Sequence, residues 1–261
     1  MTALRLIADR GRSARENIAL GAAMVELRAK DEIPDTLRIY SYPRSVLLGR
    51  NQDATRTADL SFCEREGIEV ARRITGGGAI YLDQGVVTWD LALASRAHSD
   101  ISTLAATVCN AIAIGISGLG AAARFRAEND IVIGARKVAG ASGYRDGAAL
   151  IYQGSLMIAP DFSAMAAALR LAPVGAHVTS LCRELGYVLG NEAILSLLAD
   201  AAANALNCTP ERSSWTKQER VLASQMLHDE IGRDDFVFQG EADGRFAPPL
   251  PRLSSVEAAA Q

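Results

Sequence analysis

Two short segments of this 261-residue chain combine residue types that can handle an anion. In the first, Arg72 and Arg73 stand just ahead of Thr75 and the triplet Gly76-Gly77-Gly78, which Ala79 and Tyr81 follow. Consecutive glycines let backbone approach a ligand with no Cβ in the way, and their N–H groups can face an anion. The two guanidinium groups supply charge for a carboxylate or a phosphate. The run does not match G-x-x-x-x-G-K-[ST], so it is not a P-loop. A bare glycine triplet is equally a hairpin corner with two solvated arginines. In the second segment, Lys137 stands beside Arg136 among the small residues Gly134, Ala135, Ala139 and Gly140. Its ammonium could reach over a cleft whose backbone lies close to a ligand. On composition alone, two solvated charges at a hairpin turn are the better reading.

Two further segments carry weaker signals. Tyr152-Gln153-Gly154-Ser155 reads as a strand pairing with the Lys137 strand, its glycine marking a close backbone approach. Residues 173–182 include His177 and Cys182, an acid or base and a nucleophile by type. No Ser or Asp partner for His177 can be assigned, and nothing near Cys182 in sequence depresses a thiol pKa. The charge count adds a discriminating fact. Of 27 Lys plus Arg, only three are Lys: Lys30, Lys137 and Lys217. In a chain that uses Arg nearly everywhere, a retained Lys in a loop stands out, because Arg cannot mimic a compact ammonium.

The elements that must position these residues follow from pattern. A capping box at Ser13 and Glu16, then Ile18, Ala22 and Val25 at helical spacing, predicts a helix over 14–30. Strands are predicted over 36–42, ended by Pro43, and over 46–49. A helix over 60–66 stops at Gly67. A strand over 68–74 runs straight into the glycine triplet, and another covers 86–93. A long apolar helix over 101–117 starts near Ser99 or Asp100. Strands over 130–133 and 137–142 flank Gly134-Ala135 as a hairpin, and an Asp146-Gly147 turn leads to a strand over 150–158. Helices are expected over 163–171, 192–206 and 215–228, and residues 246–261 as an extended Pro/Ala-rich arm. Hairpins outnumber βαβ units, so the expected fold class is α+β, with mixed or antiparallel β-sheets flanked by helices. One domain over 1–245 is expected, with its motifs in 14–185 and a helical part over 186–245.

A hydrophobic content of 49%, a charged content of 22% and a net charge of −3 exclude disordered, collagen-like and disulfide-scaffold classes. Mild acidity disfavours nucleic acid or an anionic membrane as a partner. The four cysteines (Cys63, Cys109, Cys182, Cys208) show no C-x-x-C spacing, and Cys63 and Cys109 fall in helical patterns as small buried residues. No apolar secretory segment is visible at the N-terminus. The apolar stretch over 104–123 is rich in Ala and Gly and interrupted by Thr107, Asn110 and Ser117, so it reads as a packed core helix. A cytoplasmic location is expected.

Taken in order, six segments resemble the lipoate–protein ligase A family. They are Leu37-Arg38-Ile39-Tyr40, Gly49-Arg50-Asn51-Gln52, the stretch from Arg72 to Asp83, Arg136-Lys137-Val138-Ala139-Gly140, Gln153-Gly154-Ser155 and Val178-Thr179-Ser180-Leu181. That family shares a superfamily with octanoyltransferases and biotin–protein ligases, and the resemblance covers about residues 14–185. It implies the biotin/lipoate ligase catalytic-domain fold. It also implies ATP-dependent activation of lipoate or octanoate to acyl-AMP, with Mg²⁺, and transfer to a lysine of a lipoyl-domain acceptor. Such acceptors are 2-oxoacid dehydrogenase acyltransferase subunits, the glycine cleavage H protein or a similar lipoate-binding protein.

By the same resemblance Lys137 is the catalytic residue, holding the carbonyl and phosphate oxygens of the adenylate. Arg73, Gly76, Gly77, Gly78, Ala79, Tyr81, Gly140, Gly154 and Ser155 are implied to shape the acyl and adenylate site. Asn129 and Asp130 match a family pair implied to hold Mg²⁺ or phosphate. Departures occur at Leu82, where many relatives carry a polar residue, at Thr88, which replaces an Asn, at Tyr152-Gln153, which replace a His pair, and in the reversed order of Ala141-Ser142.

The cysteines separate the readings. One octanoyltransferase type carries its nucleophilic Cys where this chain has Val174. The other carries it shortly before the Asn129 position, and none lies between Gly118 and Arg136. An acyl-thioester mechanism requires that thiol. ATP-independent octanoyl or lipoyl transfer is therefore the alternative to the ligase, alongside a non-catalytic lipoyl-protein-binding relative. A biotin ligase fits the Lys137 and Val178–Leu181 motifs less well. The residues beyond Leu185 are too few for the accessory domain of long ligases, so the implied enzyme is self-sufficient or completed by a separate accessory subunit.

Overall fold

The computed structural model describes residues 2–9, 11–98, 100–171 and 176–240. The expected arm at 246–261, Ser99 and Val174 lie outside the described residues. Strands follow in chain order as β1 (Thr2–Ala8), β2 (Thr36–Ser41), β3 (Ser45–Leu48), β4 (Glu69–Arg72), β5 (Ile80–Leu82) and β6 (Val86–Ala94). Then come β7 (Ala123–Arg126), β8 (Asp130–Ile133), β9 (Arg136–Asp146), β10 (Ala149–Met157) and β11 (Cys208–Arg212). The helices are α1 (Ala14–Ala29), α2 (Ala54–Thr57), α3 (Leu60–Arg65), α4 (Ile101–Gly118), α5 (Phe162–Ala168), α6 (Leu181–Leu185), α7 (Asn191–Leu206) and α8 (Lys217–Met226).

Eight strands form the main sheet in the order β11-β1-β2-β6-β10-β9-β8-β7. Its β11-β1-β2 edge is parallel and the rest antiparallel, the mixed sheet expected. A second sheet, β4-β3-β5, carries the glycine triplet between β4 and β5. Helix α1 forms as the capping box predicts, with Ser13 Oγ accepting from the Glu16 N–H and Glu16 Oε2 accepting from the Ser13 N–H. It packs against β6 and β10 on one side and β4 on another, so it is buried almost throughout.

The opposite face of the main sheet packs on α4 and α7, where Leu37, Trp89, Leu91 and Tyr152 meet Val108, Ile112 and Leu198. Helix α4 is long and apolar enough to cross a membrane by length and composition. Here its Leu104, Val108, Ile112 and Ile116, one residue every turn, lie in that core. Cys63 and Cys109 are buried in α3 and α4, as their patterns predict.

Strands β1, β5, β7 and β11 and the short helices α2 and α6 were not expected from the sequence pattern. The N-terminal residues, to which the sequence pattern assigned no element, form strand β1. The part beyond Leu185 is not only helical, because β11 joins the main sheet beside β1. β11 is a short edge strand and β1 lies between it and β2; both have mixed exposure, which gives them little hydrophobic periodicity to read.

Candidate functional site

Between the main sheet, the small sheet, α1 and α5 lies a cavity of about 340 Å³, the size of a small-molecule site. Of the residues singled out in the sequence, Arg73, Gly77, Gly78, Ala79, Tyr81, Lys137, Gly140, Gly154 and Ser155 line it. Gly76 does not, but its carbonyl helps fix the loop. Gly77 and Gly78 are exposed and the Lys137 side chain is about a third exposed, so these mark the mouth. The inner end holds Ile18, Tyr40, Tyr42 and Asp90, all buried.

The glycine loop is shaped by the two arginines before it, and its carbonyls take the donors. Arg73 donates from Nη2 to the carbonyls of Gly76 at 2.7 Å and Gly78 at 2.8 Å, and from Nη1 to that of Leu47. Burial pushes its pKa down to about 10, still well above neutrality. Arg72 donates to the carbonyls of Gly49, Arg50, Gln52, Phe236 and Val237. The sequence offered both guanidinium groups to a ligand anion; in the structure their bonds run to backbone, and their work is to hold the loop. Gly77 has φ +94°, and a Cβ at Gly49 would stand 1.9 Å from the Gly77 carbonyl oxygen, so both positions need glycine. Ser142 Oγ donates to the Gly76 carbonyl at 3.0 Å and ties the loop to β9.

Lys137 reaches the mouth because of a β-bulge. Opposite the step from Ile131 to Val132 on β8, strand β9 advances from Ala139 to Lys137 and leaves Val138 as the extra residue. Val138 and Ala139 both enter the α4-side core, which puts Lys137 and Gly140 together on the cavity face. The ammonium lies directly over Gly140, where a Cβ would come within 2.4 Å of Lys137 Cε and Nζ. Its partner is Asp130 Oδ1 at 2.7 Å. Burial works against charge on Asp130, but hydrogen bonds from Arg126 and Lys137 outweigh it and hold the carboxyl below its ordinary value.

The segment around His177 holds Lys137 through backbone. The Lys137 N–H donates to the His177 carbonyl and the Thr179 N–H to that of Lys137. His177 itself is exposed, Ser180 caps α6, and Glu184 of α6 accepts from Thr179 and pairs with Arg136. Arg136 is thus a brace, and Lys137 alone of the pair serves the cavity.

Asn129 and Asp130 do not fit a dedicated metal site as they stand. Both Asp130 oxygens are engaged, Oδ1 by Lys137 and Oδ2 by Arg126. Among the described residues no group of three or more His, Cys, Asp or Glu is placed to hold a metal. None of the four cysteines lines the cavity; Cys182 sits partly exposed on α6 and the other three are buried.

Several lining residues were not among the site residues that the sequence implied. Thr75 is fully buried with an unpartnered Oγ1. Thr88, Asp90 and Gln153 line the cavity, with Thr88 Oγ1 donating to the Tyr40 carbonyl and Gln153 Nε2 to Asp90 Oδ1. Thr88 and Asp90 sit two apart on one strand, a period-two signal that an otherwise apolar run obscures.

The lipoyl protein ligase A/B catalytic domain family matches residues 13–203. Lipoate-protein ligase A subunit 1 of Thermoplasma acidophilum is 30% identical over 145 residues, covering 52% of this chain and 55% of that protein. The chain thus spans about half the length of the ligase relatives it matches. Octanoyltransferase LipM of Kyrpidia tusciae is 23% identical over 263 residues, covering 87% of this chain and 96% of that one. The structure of a bi-partite lipoate protein ligase from Thermoplasma acidophilum, described with its E2 lipoyl domain, superposes with a TM-score of 0.84 at 22% identity, covering 94% of this chain and 100% of that one. That likeness shows the fold. With its cavity, glycine loop and bulge-presented lysine in one site, this chain belongs to the lipoyl protein ligase A/B catalytic domain family.

Proposed function

We propose that this chain activates lipoate, or an acid of octanoate length, with ATP and passes the acyl group to a lysine of a lipoyl-domain acceptor. The observation that carries this reading is the Lys137 ammonium, held at the mouth of the cavity over Gly140 and beside the glycine loop. An acid seated in the cavity presents its carboxylate at that mouth. A carboxylate oxygen attacking the α-phosphorus of ATP releases pyrophosphate and brings two anions together, and a fixed ammonium offsets that charge. The acceptor amine then attacks the acyl carbonyl and AMP leaves. The Lys137–Asp130 pair is partly exposed and worth about 1 kcal/mol at most, so an incoming anion can replace it. Mg²⁺ would enter with ATP and supply charge neutralisation at its phosphates, and no described residue of this chain is assigned to hold it.

The ligase and bi-partite relatives support lipoyl domains as acceptors and a separate accessory subunit as a partner. The acceptor is a 2-oxoacid dehydrogenase acyltransferase subunit or an H-protein-like carrier. The LipM relatives support a second reading, ATP-independent acyl transfer. That chemistry needs a thiol at the acyl carbonyl, and no cysteine lines this cavity. Incubating the purified protein with ATP, lipoate and a lipoyl domain decides between them. Acyl-AMP and pyrophosphate should form, and Lys137→Ala should abolish both. Transfer from an octanoyl carrier protein without ATP would refute the ligase reading.

A further inference from the structure

The sheet face that floors the cavity continues past its mouth. Tyr40, Thr88, Ser155 and Gly140 are direct cross-strand neighbours on β2, β6, β10 and β9, and all four line the cavity. The same row runs on to Asp130 of β8 and Arg126 of β7. Beside it, a shorter row joins Lys137 of β9 to Val132 and then to Arg124. Helix α4 covers the other face of β7 and β8, where Phe125, Ile131 and Ile133 pack. Side-chain alternation therefore turns Arg124 and Arg126 to the face that carries Lys137.

Arg124 is exposed and makes no hydrogen bond or ion pair among the described residues. Arg126 leans inward, its Nη2 2.7 Å from Asp130 Oδ2. The carboxylates nearby are Asp130, whose other oxygen Lys137 holds, and Glu128, exposed in the turn between β7 and β8. When Lys137 turns to an incoming anion, Asp130 keeps Arg126 as its partner. The outermost cation, Arg124, is left uncompensated.

The direction of the reaction gives these cations a ligand. An acid in the cavity comes to Lys137 along the row, from the β10 side. Its carboxylate oxygen bonds to the α-phosphorus of ATP. The bond from that phosphorus to the α,β-bridging oxygen breaks, and this oxygen leaves with the electron pair as part of pyrophosphate. Attacking and leaving oxygens lie roughly in line. The leaving group therefore departs on the β8 side, over Asp130 and toward β7. Two strand spacings put Arg124 about 10 Å from Lys137 at Cα, and Arg126 as far from Gly140, within side-chain reach of a polyphosphate that starts at the ammonium. Resting on the activation reading above, we infer that Arg124 and Arg126 hold the β- and γ-phosphates of ATP, and the pyrophosphate formed from them, over β8 and β7. Guanidinium forks match phosphate oxygens in pairs, and Arg124, with no carboxylate to offset, makes the stronger contact.

Titration of the full chain with inorganic pyrophosphate, ATP and AMP, by calorimetry without the acid, tests this, with adenylation of lipoate measured alongside. Arg124→Ala removes an exposed side chain that has no partner, so the variant should fold as the wild type does. It should weaken pyrophosphate and ATP about tenfold, the worth of one hydrogen bond between charged groups, and leave AMP unchanged. Arg124→Lys should restore part of the loss, and replacing both arginines by Ala should deepen it. Pyrophosphate binding that is absent from the wild-type chain, or unchanged in the double variant, overturns the inference. So does a loss shared equally by AMP. If Arg124→Ala adenylates lipoate as the wild type does at ATP concentrations below KM, the inference fails and the activation reading stands. Selective loss of pyrophosphate binding in a chain that forms no acyl-AMP supports the site and removes the activation reading.

Discussion

Gly140→Ala isolates the placement of the Lys137 ammonium from everything else in the site. The new methyl would stand 2.4 Å from Lys137 Cε and Nζ, where ordinary contacts begin at 3.4 Å. The ammonium must therefore move by about 1 Å or more. Gly140 is not among the glycines of positive φ, so the substitution adds no backbone strain. Its other close neighbour, Asp130 Oδ1 at 3.4 Å, is at ordinary distance. The displaced atoms end a flexible, partly exposed side chain, so stability should change by less than about 1 kcal/mol. Misplacement by about 1 Å at a reacting centre costs up to about 100-fold in rate. Pyrophosphate release with ATP and lipoate should accordingly fall about 10- to 100-fold, at a melting temperature within a few degrees of wild type. A variant with full adenylation would show that the ammonium has no fixed station over Gly140. A variant that unfolds would show that Gly140 serves packing instead.

Lys137→Arg should lower acyl-adenylate formation at least about 100-fold, since a planar fork cannot take the place of one compact charged donor. Near-normal turnover would remove Lys137 from the mechanism. Gly49→Ala drives a methyl to 1.9 Å from the Gly77 carbonyl oxygen, which is backbone and cannot step aside. It should cost about 1–3 kcal/mol in urea unfolding, together with loss of adenylation, and a silent variant would refute the close approach. Burial pushes the Glu219 carboxyl up, but hydrogen bonds and charge from Arg5 outweigh it and leave it below 4.5. The pair's stabilisation is therefore present above about pH 4.5 and lost as pH falls through the folded value. Glu219→Gln should cost about 3 kcal/mol at neutral pH, because Arg5 is left buried, and should flatten the acid limb of stability against pH. An unchanged acid limb would refute the assignment.

How far the sequence could be read depended on where each residue's partners come from. The helix over 14–30 was legible because its capping box is local, and the hairpin around Gly134 because its turn is. The glycine loop and Lys137 were legible as types in a familiar order. Their geometry was not. Lys137 faces the cavity through a bulge at Val138, a register event decided by how Val138 and Ala139 pack against α4 and α7. Nothing in Arg136-Lys137-Val138 announces it. Asp90 was passed over because its strand reads as one continuous apolar run, and only the three-dimensional neighbours Tyr40, Gln153 and Arg38 make a buried carboxylate tolerable there. Strands β1 and β11 pair with each other across about 200 residues, which no local pattern shows.

The arginines before the glycine triplet lead to a wider point about where this site ends. Read as ligands, they confine the site to the motif. Read as the structure has them, they couple it to the rest of the chain. Arg72 joins the carbonyls of Gly49, Arg50 and Gln52, at the base of the loop, to those of Phe236 and Val237, near the end of the described chain. A comparable link runs beneath the inner end of the cavity, where Trp215 Nε1 and Arg38 Nη2 share Asp9 Oδ2 and Arg38 approaches Asp90. Both ends of the cavity are thus fixed to residues beyond 203, outside the span the family matches. Buried guanidinium groups cannot lose these carbonyl and carboxylate partners without leaving charge unsatisfied. Trimming the chain to its motif-bearing span should therefore loosen the loop and the inner wall together, even though no described residue beyond 203 lines the cavity.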